Sequence, residues 1–199
     1  MLPKSTPAVM TEGGVYLMYY MGGNFEETPI GQYLDKDMPG MEEATIMGMN
    51  MKIGIALSQD GIAFGRVEGD DPSGAVMAPY SASDPNMKYM KQLRDEDGSL
   101  LNLPEELYCG WPEVAVNDVP ADERDDTMAQ RSFYMFYSTM LKDTKEKAIA
   151  VAVGDDAFRW DKRGIGIQPN TDGTGMGNGG CARCTIVKNA KYNERWQWW

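Results

Sequence analysis

The sequence predicts an all-β protein made of β-propeller blades, each a four-stranded antiparallel sheet, with about two and a half blades in its 199 residues. Three observations predict it. An aromatic-rich segment occurs twice, VYLMYYMGG at 15–23 and SFYMFYSTM at 132–140, placing Tyr16 on Phe133, Met18 on Met135, Tyr19 on Phe136 and Tyr20 on Tyr137. Each copy is followed by a second matching segment, IGIALSQDGIAFGR from Ile53 and IAVAVGDDAFRWDK from Ile149. No stretch outside the acidic insertions holds a helical apolar period over several turns, so little helix is expected.

The elements follow in order. Pro7-Ala8-Val9-Met10 and Pro112-Glu113-Val114-Ala115 read as the short innermost strand of a unit, and the aromatic segments as the second strand. The IxIA segments form the third strand. Asp60-Gly61 and Asp155-Asp156 then supply a tight turn, because Asp and Gly tolerate the positive φ such turns need, before a fourth strand carrying Phe64 or Trp160. A third unit opens with Cys184-Thr185-Ile186-Val187 in the inner slot and Arg195-Trp196-Gln197-Trp198-Trp199 in the aromatic slot.

This gives one partial propeller domain, with a first blade at about 7–69, an insertion at 70–108, a second blade at about 109–164 and the start of a third at about 179–199. Residues 24–50, 81–108 and 117–131 read as solvated excursions, the usual fate of charge runs. Such an array does not close a ring. Its open blade edge calls for a partner chain or a missing C-terminal half, and each tryptophan of WQWW would bury roughly 150–250 Å² there. An ordinary β-sandwich with strands of shared composition is the alternative, against which the fixed order within the units counts.

Composition removes several function classes. Nineteen Lys and Arg against 30 Asp and Glu give a net charge of -11, which repels a nucleic-acid backbone. With no histidine, His-based triads and His-ligated zinc or haem are excluded. Charged residues interrupt every apolar run before the roughly 18 residues a membrane span needs, and the N-terminal MLPKSTPAVM has no apolar leader core. Compartment is left open, although three cysteines are too few for a disulfide scaffold and fit a reducing one better. The 16 methionines read as core filling. GTGMGNGG at 173–180 lacks the lysine of a phosphate loop and reads as a connector, so no cofactor is expected.

The combination of PxV, YLMYYMGG and IGIALSQDGIAFGR resembles the five-bladed β-propeller glycosidase superfamily of arabinanases, levansucrases and invertases, similar to glycosyl hydrolase families 43 and 32. The match runs from about Pro7 to Gly164 and again from Gly179 to Trp199, where GGCARCTIV is similar to the small-residue, Arg-bearing entry of some members. The resemblance implies carboxylates on the inner strands, one acting as nucleophile or base and a second protonating the leaving group. At the matching positions stand Thr6, Trp111 and Ala182.

Substitute acids are Glu113, one residue off the slot, and Glu106, which with Glu105 is placed on a loop overhanging the axis. Glu113 and Glu106 are therefore the catalytic candidates, against an inter-blade contact for the first and a solvated loop acid for the second. Arg183, able to clamp a carboxylate or sugar hydroxyls or to form an inter-blade ion pair, and Trp111 are the substrate-binding candidates. Asp60 and Asp156 match by repeat and are assigned to turn building. Cys109 lies five residues before Val114 and Cys181 five before Ile186, which places them at equivalent heights on neighbouring blades. The CxxC of Cys181 and Cys184 has no histidine beside it and reads as inert core, so no metal site is expected.

Two functions follow. One is a glycosyl hydrolase-like, carbohydrate-related propeller with its catalysis weakened by the missing acids. The other is a non-catalytic propeller that binds a glycan or protein partner within a larger assembly.

Overall fold

The computed structural model describes residues 9–10, 14–34, 40–41, 43–83, 103–117, 131–170, 180–188 and 196–198. Among them the chain is all-β, its strands antiparallel, with one short 3-10 turn at Ile30–Gln32 and no α-helix. The first sheet comprises β1 (Val9–Met10), β2 (Tyr16–Gly22), β5 (Lys52–Ser58) and β6 (Gly65–Val67) in that order, with β3 (Glu27–Pro29) and β4 (Thr45–Met47) forming a separate ribbon between β2 and β5. The second sheet comprises β7 (Glu106–Val116), β8 (Phe133–Leu141), β9 (Lys147–Gly154) and β10 (Asp161–Ile167), again in chain order. A further pair, β11 (Ile186–Lys188) and β12 (Trp196–Trp198), follows.

The repeat holds at the level of register. Tyr16 lies opposite Ser58 and Met18 opposite Ala56 in the first sheet, while Phe133 lies opposite Gly154 and Met135 opposite Ala152 in the second. The two segments aligned separately by sequence thus pair with each other in the same way twice. The inner strands differ by one residue. Val9 lies opposite Leu17, whereas Val114 lies opposite Met135, so the two valines match in the sequence repeat but not in register.

Two expectations for the insertions change. Residues 24–50 are not simply a solvated excursion, because β3 and β4 pair there with Thr28 buried, and Tyr33 is buried in a cluster with Met51, Tyr108 and Met140. The second sheet begins at Glu106, not near 109. Its first residue is held by Glu106 N–H on the Tyr80 carbonyl at 2.9 Å and by pairing with Leu141, and two bulges let β7 run for 11 residues.

The core shows how the sheets stack. Leu17, Tyr19, Ile53 and Ile55, from one face of the first sheet, pack against Val114, Met135, Tyr137, Ala150 and Ala152 of the second. The opposite face of the second sheet, with Phe136, Ile149 and Val151, packs against Cys181, Cys184 and Ile186. By the repeat, Phe136 is Tyr19, and Ile149 and Val151 are Ile53 and Ile55. The same face of each sheet therefore points toward the next unit in the chain. The first sheet packs on one face of the second, and Cys181, Cys184 and Ile186 pack on the other, unlike the single covered face of a two-layer sandwich.

Across the first interface Trp160 meets Tyr19 edge-on at 5.8 Å, and within the second unit it meets Phe133 at 6.4 Å, contacts worth about 0.5–1.5 kcal/mol each beyond burial. The Tyr19 hydroxyl donates to the Ala157 carbonyl at 2.8 Å. Burial holds that hydroxyl well above the usual tyrosine range, so it remains a donor.

Candidate functional site

The chain enters its third unit by crossing the second sheet, making one bond to each of three strands. Cys181 N–H donates to the Lys147 carbonyl of β9 at 2.8 Å, and Arg183 N–H donates to the Ser138 hydroxyl of β8 at 2.8 Å. Ile186 N–H then donates to the Glu113 carboxylate of β7. The earlier crossing repeats the first of these bonds, since Cys109 N–H donates to the Met51 carbonyl at 3.1 Å. Met51 and Lys147 each stand two residues before the matching Ile53 and Ile149. Cys109 and Cys181 are therefore equivalent, as their spacing implies.

Two residues further on, Trp111 and Arg183 are equivalent as well. Both adopt left-handed backbone, with φ of 47° and 60°, a conformation that bulky L-residues rarely take. In β7 the bend falls within the bulge between Gly110 and Glu113, which breaks the regular ladder there.

The two substrate-binding candidates come together. The Arg183 guanidinium lies over the Trp111 indole, 5.0 Å from the ring centre. The indole in turn meets Tyr108 edge-on at 6.0 Å and packs against the buried cluster of Tyr33, Met51, Tyr108 and Met140. Trp111 is half-buried and Arg183 exposed, so an anchored aromatic carries a solvent-facing cation.

The two acid candidates do not come together. Glu113 is half-buried on the side of the second sheet that faces residues 181–186, and burial raises its carboxyl above the usual range while the Ile186 N–H pulls it down. Glu106 is not on an overhanging loop. It is the first residue of β7, 8% exposed, with Lys162 ion-paired to Oε2, the Tyr80 N–H donating to the same oxygen at 2.7 Å and the Tyr137 hydroxyl donating to Oε1 at 2.7 Å. Tyr137 belongs to the face toward the first sheet, so the two carboxylates address opposite sides. Glu105 pairs with Lys142 at 2.6 Å. Ala182 is exposed, and Thr6 lies outside the described residues.

Ser138, Tyr108 and Lys162 are not among the sequence candidates, and the structure makes Arg183, not Ala182, the equivalent of Trp111. A separate cleft of about 210 Å³ includes Asp70, Arg131, Asp155, Arg159 and Trp160 in its lining and shares no residue with the Trp111 site. Among the described residues no group of three or more acids and cysteines is placed to hold a metal ion, and no helix is long and apolar enough to cross a membrane. Compared with known proteins, the chain matches no family model and no curated protein sequence.

Proposed function

We propose that the chain is a glycosyl hydrolase-like, carbohydrate-related β-propeller array of the arabinanase, levansucrase and invertase type, whose site at Trp111, Glu113 and Arg183 binds a glycan without cleaving it. The packing of the first four-stranded sheet on the second, with the crossing chain feeding each inner strand, supports the propeller part of this reading. The carrying observation for the function is the Arg183–Trp111 stack beside a half-buried acid on one inner strand. Glycosidic cleavage asks for two carboxyl groups facing one sugar at roughly 5–9.5 Å. Glu106, on the other side of the sheet and enclosed by Lys162, Tyr80 and Tyr137, does not supply the second.

A catalytic reading keeps one observation in its favour. The raised carboxyl of Glu113 is the property of a general acid that protonates a leaving group. A single experiment separates the two. Calorimetric titration of the purified chain with xylo-, arabino- and fructo-oligosaccharides, neutral and acid-bearing, is run beside turnover of the corresponding aryl glycosides. Binding without turnover supports the proposal. Turnover lost in Glu113→Gln establishes the enzyme instead, and neither binding nor turnover defeats both in favour of a protein-binding propeller.

A further inference from the structure

Arg183 is placed with more care than solvation of a surface cation requires. Its main-chain N–H is held by Ser138, a fully buried hydroxyl, its backbone is bent into the left-handed region, and its guanidinium rests on Trp111. Lys52, Arg131, Lys142, Arg159 and Lys162 are each ion-paired with an acid. Among the described residues no such ion pair involves Arg183, nor Arg66, Lys145, Lys147 or Arg163, and what sets Arg183 apart is the joint support of Ser138 and Trp111. The nearby Glu113 carboxylate takes the Ile186 N–H instead.

The Arg183 guanidinium carbon sits over the Trp111 ring and the residue is exposed, so N–H groups of the guanidinium are open to a ligand. The group is a planar fork of donors matching the two oxygens of a carboxylate or sulfate, and the stack fixes its orientation before a ligand arrives. The indole face under the guanidinium is covered, so Trp111 serves as the support of the arginine and not as an open sugar platform.

We propose that the Arg183–Trp111 pair is an oxyanion-reading subsite, and that the glycan bound here carries a carboxylate or sulfate on the sugar lying against Arg183. This inference rests on the glycan-binding reading above. The net charge of -11 opposes a polyanion at long range, so the subsite reads one acidic group on an otherwise neutral chain rather than a run of charges. Arg183 is a binding residue here and Trp111 a positioning residue.

The test is calorimetric titration of the intact chain with a xylo-oligosaccharide bearing one glucuronic acid, its uncharged parent, its methyl ester, and the parent bearing one sulfate. The acid-bearing ligand is expected to bind about tenfold or more tightly than the parent, the step a charge-assisted bidentate contact supplies, and the ester to bind like the parent. Preference for the sulfated ligand over the glucuronate assigns the oxyanion to sulfate. Arg183→Gln is expected to bring acid and parent to equal affinity, and Arg183→Lys, which keeps the charge but loses the fork, to lose most of the preference. The comparison of acid with ester on the unaltered chain needs no variant, so a variant that fails to fold leaves the test intact. Equal binding of acid, ester, sulfate and parent overturns the oxyanion assignment while leaving glycan binding standing. Absence of binding by all four defeats this inference together with the glycan reading.

Discussion

Asp156 does in the second sheet what Asp60 does in the first. Asp60 Oδ1 accepts the N–H groups of Ile62 and Ala63, both at 2.8 Å, and Asp156 Oδ1 accepts those of Phe158 and Arg159 at 2.8 and 2.7 Å. Each carboxylate thereby satisfies two donors that the turn leaves without strand partners. The turns are not identical in detail, since the Ser58 hydroxyl also bonds Asp60 and its counterpart in the second sheet is Gly154.

These bonds make the first prediction. Asp156→Ala should lower stability by about 1 kcal/mol, the usual net worth of such hydrogen bonds, and Asp60→Ala should act in the same direction. The three bonds hold the Asp60 carboxyl down at about 2. Its folded value lies below its unfolded one, so its contribution is complete above the ordinary carboxylate range and is lost as pH falls toward about 2. Urea midpoints of Asp60→Asn should accordingly converge with those of the parent in strong acid. A constant gap at every pH would show that the carboxylate charge is irrelevant to the turn.

A second prediction concerns Glu106 and Lys162, which sit on the two edge strands of the second sheet and reach each other across Tyr137, with Lys162 Nζ 4.8 Å from that ring centre. Lys162 is only 2% exposed. Glu106→Gln leaves that cation without its counter-charge in a place water does not reach, which typically costs about 3–5 kcal/mol. Replacing both, as Glu106→Gln with Lys162→Met, should recover a large part of the loss. Denaturant unfolding of the two singles and the double measures the coupling, and additive losses would mean the pair does not act as a unit.

What was legible in the sequence follows from where the information lies. The four-strand repeat could be read because aromatic alternation and Asp-centred turns are local, and both Asp60 and Asp156 sit within two or three residues of the groups they bond. The β3–β4 ribbon could not, since ETP and TIM are three residues each and carry too little alternation to stand out from a Gly-, Met- and acid-rich segment. Glu106 was misplaced for a different reason. An acid beside another acid before a strand is ordinarily solvated, and only Lys162, 56 residues later, makes its burial tolerable. The pairing of Trp111 with Arg183 depends on a chain crossing that no local pattern encodes.

The cysteines offer a third prediction. Cys109 is fully buried, its thiol pushed up to about 12 chiefly by burial. Cys184 is pushed up to about 11, first by burial and then by the neighbouring Glu113 carboxylate. The thiolate is the reactive form, so at neutral pH both should react with iodoacetamide on the order of a hundredfold more slowly than a free thiol. Unfolding in urea should release all three cysteines of the chain. Rapid native modification of Cys184, mapped by mass spectrometry, would contradict its packing against Phe136, Ile149 and Val151.

The last prediction uses Glu113, whose carboxyl is raised by burial against the crossing chain and lowered in part by the Ile186 N–H. Its folded value lies above its unfolded one. Ionisation is therefore unfavourable in the folded state, with no penalty below the ordinary glutamate range and the full penalty once pH has risen through the raised value. Glu113→Gln removes the charge but keeps an oxygen for the Ile186 N–H. The variant should match the parent in mild acid and become progressively more stable than it as pH rises to neutrality. The same substitution removes one of the causes that raise the Cys184 thiol, so alkylation of Cys184 should quicken in the variant even as the fold strengthens. Parallel urea titrations across that pH range, with Cys184 labelling as the second readout, check both effects. A variant less stable than the parent at neutral pH would mean that the Glu113 charge is compensated by a partner, with Arg183 the first to examine.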